Sequence, residues 1–159
     1  MYKMTNPIKS ASNELRELLM SALGRLVSEG KIEAVPLPTF NIEIPQDKSH
    51  GDFASNIALA CAKPLKSAPR KIAEMLCEAV ILEGSSFERV EIAGPGFINF
   101  FLSRSWFSKV ISSVFAEKEN YGRTDTGAGK KILVEFVSAN PTGPMHIGNA
   151  RGGAIGDCL

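Results

Sequence analysis

Glu135-Phe-Val-Ser-Ala-Asn-Pro-Thr-Gly-Pro-Met-His-Ile-Gly-Asn149 decides how the last part of the chain is read. Into it runs Lys131 to Val137, short and almost continuously apolar, the pattern of a parallel strand covered on both faces. Out of it runs Met145 to Leu159, whose small and apolar residues suit a helix packed on that strand. Pro141, Gly143 and Pro144 fall between, so the expected order is strand, tight turn, helix.

Such a turn makes an anion site, because a helix start presents unpaired N–H groups and the positive end of the dipole. The dipole supplies only about 0.3–1 kcal/mol, so side chains must define the ligand. His146 falls in the first turn, where an imidazole can donate to phosphate, and Gly148 leaves room for a base or ribose. Glu135 is a carboxylate inside an apolar run and needs solvent or a cation. At the carboxyl end of a parallel strand it would face the ligand crevice, where a cationic substrate group is a fitting partner.

Working back, Glu117 to Lys130 is polar and rich in glycine, the composition of a domain boundary. Before it, Arg104 to Phe115 predicts a helix with Trp106, Phe107, Val110, Ile111 and Val114 inward. Glu88 to Ala93 and Phe97 to Ser103 predict an antiparallel pair around the turn Gly94-Pro95-Gly96. Alternation puts Ile98, Phe100 and Leu102 on one face and Phe97, Asn99 and Phe101 on the other. An amide between two rings can bond a base edge while a ring stacks on the base. Were that face core instead, Asn99 would need a buried partner.

Towards the N-terminus, Asn6 and Pro7 open a helix whose apolar stripe runs from Ile8 to Val27 and which Gly30 closes. Thr39 to Ile44 alternates as a half-buried strand, and Pro45 to Gly51 is a polar loop. Asp52 is placed as the cap of a short helix carrying Phe53, Ile57, Leu59 and Ala60. A second helix starts at Pro69, with Ala68 a poor cap. Lys63, Lys66, Arg70 and Lys71 crowd this junction: a solvated surface, or a contact to an RNA backbone that salt would weaken.

The 159 residues have 44% hydrophobic content and a net charge of +1, so no global basic field marks a nucleic-acid binder. No apolar run is long enough to span a bilayer, and the N-terminus lacks a signal core. Cys61, Cys77 and Cys158 sit at unrelated spacings and suggest reduced thiols of a cytoplasmic protein, with neither metal site nor disulfide framework.

Ser138 to Asn149 resembles the first signature of class I aminoacyl-tRNA synthetases, and the preceding Val-Glu-Phe-Val-Ser-Ala-Asn-Pro resembles the arginyl-tRNA synthetase version. His50-Gly-Asp-Phe-Ala-Ser-Asn-Ile-Ala, Pro69-Arg-Lys-Ile-Ala and Ala93-Gly-Pro-Gly-Phe-Ile-Asn-Phe resemble landmarks of that family's additional N-terminal domain. The resemblance implies an α+β tRNA-recognition domain over residues 1–116, with an antiparallel sheet and helices. A linker over 117–130 and the first strand, turn and helix of a Rossmann-like catalytic domain over 131–159 would follow.

It also implies site residues. Ala139, Asn140, Pro141, Thr142, Gly143, Pro144, Met145, His146, Ile147, Gly148 and Asn149 form the signature. His146, Gly148 and Asn149 would contact ATP, bound with Mg2+ as substrate, while Glu135 faces the guanidinium of L-arginine and Ser138 and Asn140 hold its amino-acid end. Phe97 and Asn99, with Phe101 on the same face, would touch the D-loop corner of tRNA. Asn149 departs from the family's usual second histidine; it keeps a donor but cannot carry charge.

Three readings follow: an N-terminal part of an arginine–tRNA ligase, a free-standing synthetase-like RNA-binding module, or an unrelated nucleotide-binding α/β protein. On the first, residues 130–159 by themselves are expected to be loosely held or to self-associate, and the chain alone to be inactive, because a lone parallel strand and helix cannot form a covered sheet.

Overall fold

A computed structural model describes residues 6–36, 38–123, 127, 129–140 and 142–158. The chain divides into two compact units, residues 3–123 and 124–159, described in turn.

The first unit opens with α1 (Pro7–Ser28). Asn6 caps it by accepting the Lys9 N–H at 2.9 Å, and Gly30 ends it at a φ of +68°. Ala11, Leu15, Leu19, Ala22, Leu23 and Leu26 are buried, whereas Ile8 and Val27 at the two ends of the stripe are exposed. The strand expected over 39–44 shrinks to β1 (Ile42–Glu43). Phe40 instead turns into the core, its ring beneath the Arg16 guanidinium at 4.4 Å and its carbonyl accepting from the same group.

Asp52 is no helix cap. Its N–H donates to the Phe100 carbonyl and its carboxylate accepts the Leu102 N–H, both at 2.9 Å. The following residues join the sheet as β2 (Phe53–Ser55), all three buried. Cross-strand pairing on both sides has overridden the local helical pattern. The helix starts later, as α2 (Ile57–Ala62), and is followed by α3 (Pro69–Ala79), whose first residue is preceded by Ala68 with no side-chain cap.

Next come β3 (Phe87–Ala93) and β4 (Phe97–Leu102), giving a four-stranded sheet in the order β1-β2-β4-β3, every pair antiparallel. Ile98 and Phe100 of β4 are buried with α1, α2 and α3, as the alternation required. Phe87 meets Phe53 and Phe100 edge-on, at centroid separations of 5.9 and 5.7 Å.

The unit closes with α4 (Arg104–Glu117), capped by Ser103 through the Trp106 N–H, and a 3-10 turn at Lys118–Asn120. Trp106 packs on the core, but Phe107, Ile111 and Val114, expected inward, are 52%, 57% and 40% exposed. Val110 is half-buried and lines hollows beside the start of α1, so only the outer part of the stripe is left uncovered.

In the second unit the expected parallel strand is not formed: residues 130–140 pair with no strand, and Ile132 and Leu133 are 73% and 96% exposed. A parallel strand needs a hydrogen-bonded neighbour and cover on both faces, and nothing described supplies either. Val137, at a φ of +57°, also breaks the extended run. The expected helix does form, as α5 (Ile147–Asp157). No described helix is long and apolar enough to cross a membrane.

Candidate functional site

The face of the sheet away from the helices carries the one unusual polar residue of β4. Asn99 pairs with Ala54 on one side and Glu91 on the other, so its backbone is spent on the ladder and its side chain stands off that face. It is only 5% exposed, yet its carboxamide makes no hydrogen bond among the described residues. No fully buried side-chain polar atom among them lacks a partner, so the amide reaches open space. That space is a hollow of about 390 Å³ lined by Asn99, Phe97, His50, Glu43, Ala54 and Gly94, with Pro45 and Ala93 completing it. A half-buried ring beside a paired donor and acceptor suits a flat heterocycle with an amide-like edge.

Phe101 has the same orientation but a different environment. The Arg89 guanidinium lies over its ring at 3.5 Å and is itself paired with Glu91. A base could stack on that face only by displacing the arginine. The structure therefore brings Phe97 and Asn99 together at the hollow and leaves Phe101 outside it.

His50, Glu43 and Pro45 line the hollow although the sequence reading gave them no role there. His50 ends the 3-10 turn Lys48–His50, whose cap is Asp47, with Oδ1 accepting the Ser49 N–H at 2.9 Å. That hydrogen bond holds the Asp47 carboxyl below its ordinary value. The turn seats because Gly51, at a φ of +84°, lies against β4; a Cβ there would come within 2.7 Å of the Phe100 oxygen. The glycine in His50-Gly-Asp-Phe was the visible signal, but what it touches depends on folding.

In the second unit, His146 and Asn149 form a reciprocal cap on α5. His146 Nδ1 accepts the Gly148 N–H at 3.1 Å, and Asn149 Oδ1 accepts the His146 N–H at 3.2 Å. A neutral ring accepting at Nδ1 carries its proton on Nε2, a donor free for an anion. A Cβ at Gly148 would sit 2.9 Å from His146 Cε1, so the space at that glycine is filled by the imidazole in this structure.

Glu135, Ser138 and Asn140 are exposed in the unpaired segment, and no described cavity gathers them with His146. Ala139, Thr142, Gly143, Pro144, Met145 and Ile147 are likewise exposed, and Pro141 lies outside the described residues. Cys61 and Cys77 are thiols raised by burial, Cys77 to about 11, while Cys158 is exposed.

Residues 13–102 match the family model described as the arginyl tRNA synthetase N terminal domain. Among curated relatives, the arginine–tRNA ligase of Acetivibrio thermocellus is 47% identical over 98% of this chain and 28% of its own length. That of Desulforamulus reducens is 49% identical over the same shares. The chain thus spans about 28% of the length of these relatives. A crystal structure of arginyl-tRNA synthetase from Plasmodium falciparum superposes with a TM-score of 0.56 at 18% identity, covering 92% of this chain and 27% of that one, a likeness of fold. With that family's N-terminal domain matched across the whole four-stranded sheet, the chain belongs to the arginyl-tRNA synthetase family.

Proposed function

We propose that this chain serves an arginine–tRNA ligase of the cytoplasm as its tRNA-binding front, with Phe97 and Asn99 taking a nucleotide of the arginine-accepting tRNA. The observation that carries the reading is the Asn99 carboxamide, on a residue only 5% exposed, unpaired among the described residues and opening into a hollow beside Phe97. An amide that has no protein partner and faces an open hollow keeps its donor and acceptor for a ligand. Residues 1–116 would form this domain, 117–130 the linker and 131–159 the beginning of the catalytic one.

In the complete ligase the reaction is amino-acid activation and transfer. The arginine carboxylate attacks the α-phosphate of ATP, which enters with Mg2+ as substrate, and pyrophosphate leaves. The terminal ribose hydroxyl of tRNA then takes the arginine from its adenylate. Positioning and charge stabilisation supply the rate, with no covalent protein nucleophile. His146 would donate from Nε2 to ATP oxygens, Gly148 and Asn149 would line the nucleotide, and Glu135, Ser138 and Asn140 would hold arginine. The exposed His146 ring with Nδ1 already engaged by Gly148 supports the first of these assignments. The arginine-binding residues rest on the family resemblance.

Equilibrium binding of an arginine-accepting tRNA to the 159-residue chain tests the RNA reading. Asn99→Ala should weaken binding about tenfold, the equivalent of roughly 1.4 kcal/mol, and Phe97→Ala by at least as much through lost stacking. Unchanged affinity in both variants, with folding intact by circular dichroism, would refute it.

A further inference from the structure

The hollow is lined by one carboxylate, and an arginine is hydrogen-bonded to another of its lining residues. Glu43, on edge strand β1, lines one margin; Gly94, in the turn joining β3 to β4, lines another. That turn is pressed onto the start of α3: a Cβ at Gly96 would stand 2.9 Å from Pro69 Cβ. The next residue, Arg70, reaches back to the turn, its Nη1 donating to the Gly94 carbonyl at 3.4 Å. Its Nε lies 3.5 Å from Glu74 Oε1 one helical turn on, and its side chain is 65% exposed. A guanidinium has five N–H donors, so the bond to Gly94 tethers the group and leaves donors for a ligand.

The other cations of the junction are not equivalent. Lys71, next along the same helix, lines a separate hollow with Lys31, Glu33 and Ser67. Arg70 is the member of the cluster that hydrogen-bonds a residue lining the Asn99 hollow. A nucleotide whose base enters the hollow must carry its phosphates out past the rim. Glu43 repels them where it lines the hollow, and Arg70, beside Gly94, offers a guanidinium suited to a phosphate.

We propose that Arg70 is a phosphate-binding residue of this interface, gripping the backbone beside the nucleotide held by Phe97 and Asn99; the inference rests on the reading of that hollow as a base site. A phosphate contact releases counterions and is read as a salt slope, whereas a base contact is not. Affinity of the 159-residue chain for an arginine-accepting tRNA transcript is therefore measured across a salt series. Arg70→Ala should weaken binding and flatten the log–log slope by about 0.7–0.9, one phosphate's worth. Arg70→Lys should restore most of the slope. Asn99→Ala should weaken binding with the slope kept, and Lys71→Ala should change neither. An unchanged slope in Arg70→Ala, or an equal loss in Lys71→Ala, overturns the proposal while leaving the base site standing. Wild-type affinity in Asn99→Ala overturns the base site and the proposal with it.

Discussion

At the scale of single residues, the hollow depends on positions whose role is backbone geometry as much as chemistry. Gly51 is the clearest. With a φ of +84° and the Phe100 oxygen 2.7 Å from where a Cβ would be, Gly51→Ala should cost about 1–3 kcal/mol of stability. It should also push His50 off the hollow; a denaturant midpoint equal to wild type would show that the contact is not as tight as described. Asn99 was legible from alternation alone, because period two put it opposite Ile98 and Phe100 whichever partners β4 found. Whether its face was core or ligand surface was not legible, since that depends on what β1 and the 48–50 turn leave uncovered. Asp52 was misread for a related reason: a carboxylate before an apolar run suits a cap, and only the sheet reveals Leu102 N–H as its partner.

At the scale of elements, the strongly periodic segments came out near their expected ends and the short ones did not. α1 and the β3–β4 hairpin carry enough repeats to fix their own period. β2 has three residues and takes its conformation from its neighbours. The expected strand at 131–137 lacks such neighbours in the described structure and stays unpaired, although its residues are nearly all apolar. α4 forms over the expected extent, with Trp106 and Val110 half-buried but Phe107, Ile111 and Val114 exposed, because a helical stripe says which side is apolar and not what covers it. α3 offers the test at this scale. Its cap, Ala68, leaves the first N–H groups without a side-chain acceptor. Ala68→Ser should therefore raise stability by about 1 kcal/mol. A lower midpoint would mean that those N–H groups already have partners.

For the whole molecule, the two units differ in how far they are self-sufficient. Residues 3–123 hold a closed core of helices on an antiparallel sheet, while in 124–159 Glu135, Ser138 and Asn140, expected to bind arginine, are exposed and no described cavity joins them to His146. The 159-residue chain alone should then show no ATP–pyrophosphate exchange above a protein-free control, and robust exchange would contradict that picture. The proposed RNA contact is assigned to residues of the first unit only. Its most direct test is a nuclear magnetic resonance titration of the labelled chain with an arginine-accepting tRNA. The side-chain amide of Asn99 and the backbone amides of His50, Ala54 and Phe97 should shift first and together, with α1 unmoved. Perturbations confined to α1, or none at saturating RNA, would contradict the assignment of the sheet face as the tRNA-binding surface.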